Sequence, residues 1–440
     1  MVSRPERCGS AATRPVASPV VSEIFKAPTG THDVLPPESA RWQALEACFA
    51  DLAGRAGYGL LRTPLFEDAG VFHRVGEATD VVRKEMYEFE DKGGRHVALR
   101  PEGTASVARA YVQHRPTAVP WKVWYSAPMF RYERPQAGRY RQHQQLGLEA
   151  LGSDDPDLDV EVIALQAGFY AALGLQRILL IINSLGDGNC RPAYLAALGA
   201  YLEARADDLC DEHRTRAVEN PLRVLDCRRK ACLDATRGAP RTVDHLCGPC
   251  KDHFERVQAG LGALGIAFAI ETRLVRGLDY YTRTTFEFQA SALEGAQNAV
   301  GGGGRYNGLV EGLGGPPTPG IGFGSGIERV LLACDAEGVF PSPPPALDVF
   351  VVDVAGGEAA RDLTAELRRA GLAADRAYDG RSMKSQMKSA DRSGARLALL
   401  VGEDEVATGS VTIRHLRGDG EQERVPRESV IERIRSIVYD

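Results

Sequence analysis

The chain of 440 residues predicts an α+β body built on a sheet, a helical insertion within that body, and a separate α/β domain at the C-terminal end. Three observations carry this. Segment 130–152 (FRYERPQAGRYRQHQQLGLEALG) reads as two strand-like arms around a basic loop. From about 186 to 254 the pattern turns helical and polar, with Leu195, Leu198, Tyr201 and Leu202 at helical spacing. Beyond the proline-rich linker PSPPPA (341–346), strand-like LDVFVVDV, LAADRAYDG and RLALLVG alternate with helix-like GEAARDLTAELRRAG and SMKSQMKSADRSGA.

Taken in order, residues 1–24 lack the continuous apolar core of a secretory signal and read as a disordered extension or an upstream start. Ser39 is expected to cap a helix on which Trp42, Leu45 and Phe49 share a face. GLLRTPLFE (59–67) is a strand interrupted by Pro64, which cannot donate to a ladder and so marks an edge or an interface. HVALRPEGTASVARAYV reads as strand, turn and helix. Glu102 and Thr104 fall where that strand ends, to present ligand groups there or to serve the helix start. In LVRGLDYYTRTTFEF (274–288), Arg276, Asp279, Tyr280 and Tyr281 lie in an apolar, strand-like setting, where buried polar groups need a polar ligand. The glycine run 301–304 allows close backbone approach to a ligand or plain turn flexibility. GIGFGSGIERVLL (320–332) is a glycine-rich strand entering a helix with Glu328 and Arg329.

Hydrophobic content of 44% and charged content of 25% are ordinary for a globular protein, and the net charge of -6 leaves any nucleic-acid contact to local patches. One such patch is Arg381, Lys384, Lys388, Arg392 and Arg396, which would otherwise be a solvated helix face. No apolar run is long enough to cross a membrane, and nine cysteines without an export signal favour a reducing cytoplasm. Cys227, Cys232, Cys247 and Cys250, spaced C-x4-C-x14-C-x2-C, suit one closed tetrahedral Zn²⁺ site or, failing that, four partly buried thiols.

From about Phe25 onward the chain resembles a bacterial histidyl-tRNA synthetase of class II. YGLLRTPLFE matches motif 1, FRYERPQAGRYRQ motif 2 and GIGFGSGIERV motif 3, while LVRGLDYYT and GGGGRYNGL match the two histidine signatures. The resemblance implies a catalytic domain with an antiparallel sheet at 25–340, a linker at 341–347 and an anticodon-binding domain at 348–440. It implies a homodimer joined through the Pro64 segment, with histidine, ATP carrying Mg²⁺ and tRNA(His) as substrates. Carried over residue by residue, Arg276 and Arg131 are the catalytic cations. Glu102, Thr104 and Gln145 hold the α-amino group, and Glu149, Tyr280 and Tyr281 line the imidazole site. Arg131, Glu133, Arg139, His143 and Arg329 bind ATP, Arg134 and Gln136 of the motif 2 loop reach tRNA, and Lys384 and Lys388 belong to the RNA face. His143 departs from the family, which usually has Phe stacked on adenine there. A neutral imidazole keeps a flat face, so modestly altered ATP affinity is expected, with activity falling below about pH 6.5 if the ring must be neutral. Two rivals are a non-catalytic, histidine-sensing subunit of a phosphoribosyltransferase and an RNA- or amino-acid-sensing module. The first typically lacks the C-terminal domain and degrades the arginine signatures; the second lacks an effector domain here.

Overall fold

The computed structural model describes residues 24–76, 79, 81–214, 220–275, 280–293, 298–344, 347–417 and 420–439. An eight-stranded sheet runs in the order 59–60, 121–130, 142–151, 320–326, 299–305, 282–290, 178–184 and 269–270. Its six inner strands are antiparallel, and only the two-residue outermost strands pair in parallel. The hairpin read from motif 2 supplies two adjacent strands of the sheet, in a register that runs from Trp121 opposite Leu151 to Phe130 opposite Gln142. Along its first arm Val123, Tyr125, Ala127 and Met129 are buried at alternate positions, the period that lays one face of a strand on a core.

Helices Glu38–Arg55, Pro156–Ala172, Gly248–Ala263 and Ile327–Glu337 cover one side of the sheet. Leu45, Phe49, Phe169, Phe286, Phe323 and Val330 meet there in a single core. On the other side, Tyr125, Tyr281 and Tyr306 gather with Val107 of helix Thr104–His114. The apolar face of the first helix is as expected. Its start is not: Pro37 occupies the N-cap without a side-chain bond and Ser39 lies inside the first turn, since a proline ahead of the helix already presets the backbone. GLLRTPLFE is split rather than continuous. Gly59–Leu60 joins the large sheet, and Phe66–Asp68 joins a three-stranded sheet with Tyr87–Glu90 and His96–Leu99.

The insertion is helical, with Tyr194, Leu198, Leu202, Val224 and Leu225 buried and Leu195 and Tyr201 packed around them. Its four paired cysteines do not form one site. Cys227 and Cys232 lie with Cys210 and His213, whereas Cys247 and Cys250 lie with Asp187 and Cys190. Cys232 lies inside the helix Lys230–Ala235, and the remainder of that helix and the short segment Thr242–His245 separate it from Cys247. The C-terminal part has its own sheet, ordered 374–376, 349–353, 397–401, 410–415, 423–426, and its own core around Val349, Val351, Leu363, Leu367, Leu399 and Ile434. The first three strands are parallel, as alternating strands and helices predict. The closing antiparallel pair and the helix Val430–Tyr439 add to that reading.

Candidate active site

A cavity of ≈ 440 Å³ opens where the motif 2 hairpin, the glycine strands and helix Ile327–Glu337 meet, within the usual range for a small-molecule site. Arg131, Arg139, His143 and Arg329 all line it. Each reaches the cavity for a local reason. Arg131 follows the end of the 121–130 strand, and its Nε donates to the Pro101 carbonyl at 2.8 Å, which locks motif 2 to the strand end carrying Glu102. Arg139 pairs with the buried carboxylate of Glu133. Arg329 lies in the first turn of its helix, and burial together with Arg139 lowers its pKa. Glu328 turns away from the cavity and accepts from the Gln144 amide at 2.8 Å, joining motif 3 to motif 2; burial raises its carboxyl to about 7.

Burial and the nearby Arg131 and Arg139 guanidiniums lower His143 to about 3. The ring is therefore neutral throughout the physiological range, as stacking requires, and the expected fall in activity below about pH 6.5 does not follow from this residue.

Beside the cavity lies a buried cluster made of the residues assigned to histidine. Thr104 Oγ1 donates to Glu149 Oε1 at 2.7 Å, Tyr306 donates to the other oxygen of the same carboxylate, and Glu149 is fully buried. Burial raises Glu149 to about 8. Glu102 accepts from the amides of Thr104 at 2.6 Å and Ala105 at 2.8 Å, so it serves the positive start of helix Thr104–His114, while Tyr280 donates to it at 3.4 Å. The two earlier readings thus combine: Glu102 serves the helix start and also meets Tyr280, while Thr104, with no capping bond, meets Glu149. The Tyr280 ring stands 4.8 Å from Tyr281 and 5.9 Å from Tyr306. Gln145 lines the cavity four residues before Glu149 on the same strand, so it connects the two regions.

Glycines make this junction sterically attainable. A Cβ on Gly322 would stand 1.8 Å from Glu149 Oε2, and one on Gly324 1.6 Å from Gln145 Nε2. The run 301–304 has a mixed purpose: Gly301 and Gly302 line the cavity, but a Cβ on Gly303 would meet the Gly322 carbonyl at 1.9 Å, so Gly303 serves strand packing. Arg305 ends that strand fully buried against Asp159, away from the cavity, in a structural role.

Arg276, with Asp279, lies outside the described residues. Arg134 and Gln136 are exposed on the motif 2 loop, and Lys384 and Lys388 are exposed on helix Met383–Arg392. Arg396 leaves the predicted basic face, because its guanidinium donates to the carbonyls of Val438 at 2.6 Å and Ile437 at 3.4 Å, at the end of the last helix. Sequence reasoning missed three charged lining residues: Glu287, from the strand after RGLDYY, and Asp226 and Arg228, from the insertion. Glu287 had a signal, being a carboxylate amid the apolar run TFEF. Asp226 and Arg228 had none, since only folding brings the insertion back over the cavity.

An antiparallel sheet with a cationic, nucleotide-sized cavity beside a buried carboxylate cluster places the chain among the class II aminoacyl-tRNA synthetases. Residues 30–330 match the family described as histidyl-tRNA synthetase, and residues 348–437 match the anticodon binding domain. A histidine–tRNA ligase of Desulforudis audaxviator is 51% identical over 420 residues, 94% of this chain and 99% of that protein. One from Rhodococcus erythropolis is 50% identical over 423 residues, covering 95% and 99%. The crystal structure of apo S. aureus histidyl-tRNA synthetase superposes with a TM-score of 0.79 at 38% identity, over 93% of this chain and 100% of that one. The chain belongs to the histidyl-tRNA synthetase family.

Proposed function

We propose that the chain activates histidine with ATP to give histidyl-adenylate and pyrophosphate, then transfers histidine to the 3′ end of tRNA(His) with release of AMP. The observation that carries this is the junction at Gln145, where an arginine-lined cavity adjoins a buried cluster with two carboxylates. In the first step the histidine carboxylate attacks the α-phosphorus of ATP, two anions that repel in water. Arg131, Arg139 and Arg329 are fixed around the space where the charge develops, so their alignment precedes the reaction. Mg²⁺ enters with the nucleotide as part of the substrate, and Glu133, Asp226 and Glu287 are the carboxylates lining that space. Arg276 is assigned to the α-phosphate and the substrate carboxylate on its sequence match alone. The acidic cluster suits the ammonium and imidazole of histidine: Glu102, Thr104 and Gln145 toward the former, Glu149, Tyr280 and Tyr281 toward the latter.

In the second step the ribose hydroxyl of tRNA attacks the activated carbonyl, with the adenylate phosphate as proton acceptor. The exposed motif 2 loop with Arg134 and Gln136 is the element suited to the acceptor end, and Lys384 and Lys388 suit the anticodon stem. Residues 25–340 act as the catalytic domain, 341–347 as linker and 348–440 as the anticodon-binding domain, a division supported by the two matched segments and the two separate cores. Exposed Leu60, Leu65 and Phe66 beside Pro64 support a homodimer interface. No helix among the described residues is long and apolar enough to cross a membrane, and their cysteines form no disulfide, which suits the cytoplasm. The regulatory alternative is disfavoured by the matched C-terminal domain and by the intact set of cavity arginines.

Histidine-dependent exchange between pyrophosphate and ATP, run without tRNA against the other amino acids, tests the reading. Exchange with histidine alone is the expected result. Folded protein that binds histidine but exchanges nothing would move the reading to the regulator.

A further inference from the structure

We propose that the helical insertion holds two separate structural zinc ions, an inner one on Cys210, His213, Cys227 and Cys232 and an outer one on Asp187, Cys190, Cys247 and Cys250. In each group, one ligand atom from every residue lies within 4.8 Å of all the others. Zinc bonded to sulfur at about 2.3 Å in a tetrahedron separates its ligand atoms by roughly 3.8 Å. Three of the four separations in the structure lie close to that value and the fourth is shorter. His213 Nδ1 stands 3.2 Å from Cys210 Sγ and 3.7 Å from Cys232 Sγ; Asp187 Oδ1 stands 3.7 Å from Cys190 Sγ and 3.8 Å from Cys247 Sγ.

Hydrogen bonding is a weak alternative explanation for these clusters. Thiols are poor donors, and three of them converging on one imidazole nitrogen or one carboxylate oxygen cannot all be satisfied there. Disulfides do not account for them either, since all six cysteines are free. The surroundings suit bound anionic sulfur. The Cys210 amide points at Cys232 Sγ at 3.4 Å, and Cys247 and Cys250 sit at the start of the 16-residue helix Gly248–Ala263, whose dipole favours thiolate. Asp187 keeps Oδ1 toward the thiols while its Oδ2 faces Arg283 at 3.6 Å, an outer partner that orients a ligating carboxylate.

The two sites divide the mechanical work. The outer set closes residues 187–250 into a loop just after the sheet strand Ile178–Ser184, so it pins the base of the insertion to the catalytic body. The inner set fixes Cys227, whose neighbours Asp226 and Arg228 line the cavity, so it determines where the insertion meets the site. Both coordination sets are closed, with four protein ligands each, which marks them as structural rather than catalytic.

Metal analysis of the full chain, purified without chelator, tests the assignment independently of any activity. Two zinc ions per chain are expected, falling to one in Cys227→Ser and one in Cys247→Ser. Should either variant fail to fold, wild-type protein titrated with a mercurial serves instead, releasing two zinc ions as six thiols react. Reduced apoprotein given Co²⁺ alone should develop tetrahedral d–d absorption and thiolate charge-transfer bands. A single zinc abolished by both substitutions would overturn the division into two sites. No zinc and no Co²⁺ uptake, or a disulfide among the six cysteines, would overturn metal binding altogether.

Discussion

Glu149 is fully buried between the hydroxyls of Thr104 and Tyr306, and its carboxyl, ordinarily near 4.5, is raised to about 8 by burial. At pH 7 it is therefore mostly protonated before substrate arrives. A raised acid contributes stability that is fully present below about 4.5 and lost as pH rises through about 8. The imidazole of histidine is mostly neutral at pH 7 and can accept that proton, which leaves a carboxylate facing an imidazolium. The proton then moves within the complex, so histidine binding at pH 7 should exchange well under one proton with the buffer, seen as an enthalpy that varies little between buffers in calorimetry. Glu149→Gln should weaken histidine more than ATP; equal losses for both ligands would remove Glu149 from the histidine pocket. Much of this was legible in sequence, because Arg, Glu and Tyr in apolar segments require partners. What was not legible is how groups share those partners. Glu102 and Glu328 carry similar carboxyls near the site, yet one serves a helix start and the other a strand amide, a difference set by angstroms rather than by residue type.

Between elements, one buried ion pair joins three pieces of chain. Arg305, ending the glycine strand, pairs with Asp159 of helix Pro156–Ala172, and Asp159 also meets His253 of helix Gly248–Ala263 at 2.7 Å. Its guanidinium donates as well to the carbonyls of Ser153 at 2.9 Å and Asp155 at 3.1 Å. Hydrogen bonds from His253 and the charge of Arg305 outweigh burial and hold Asp159 below its ordinary range, so this contribution is lost only as pH falls through that depressed value. Arg305→Leu leaves a buried carboxylate short of its cation, and the expected destabilisation is about 3–5 kcal/mol in urea unfolding. A change under about 1 kcal/mol would show the pair to be dispensable. The strands and helices themselves were readable from their periods of two and 3.6. Arg305 was not: beside a glycine run it resembles a ligand group, and only the placement of Asp159, far away in sequence, makes it structural. The cysteines misled in the same way, since spacing paired neighbours correctly but said nothing of Cys190, Cys210, His213 and Asp187, which folding adds.

At the scale of the molecule, two arrangements await test in solution. The exposed apolar side chains of Leu60 and Phe66 should lie within the dimer contact, so a Leu60→Asp, Phe66→Asp double variant should sediment as a monomer while the wild type sediments as a dimer. The second test concerns division of labour. Among the described residues, the core beneath the large sheet contains none beyond Phe340, and the two cores of the C-terminal sheet contain none before Leu347. A chain ending at residue 344 should thus fold on its own and keep histidine-dependent exchange within a few-fold of the full chain, because no cavity residue has been removed. Charging of tRNA should respond differently. Two tethered contacts on one RNA gain roughly 10²–10⁴ in avidity over either alone, so losing the domain should reduce charging efficiency by a factor of that order. Lys384→Ala with Lys388→Ala in the full chain should reproduce part of that loss, with weaker dependence on salt, if those side chains meet phosphates. Charging that survives truncation unchanged would confine tRNA recognition to the catalytic body, and the motif 2 loop would then be the first place to look for it.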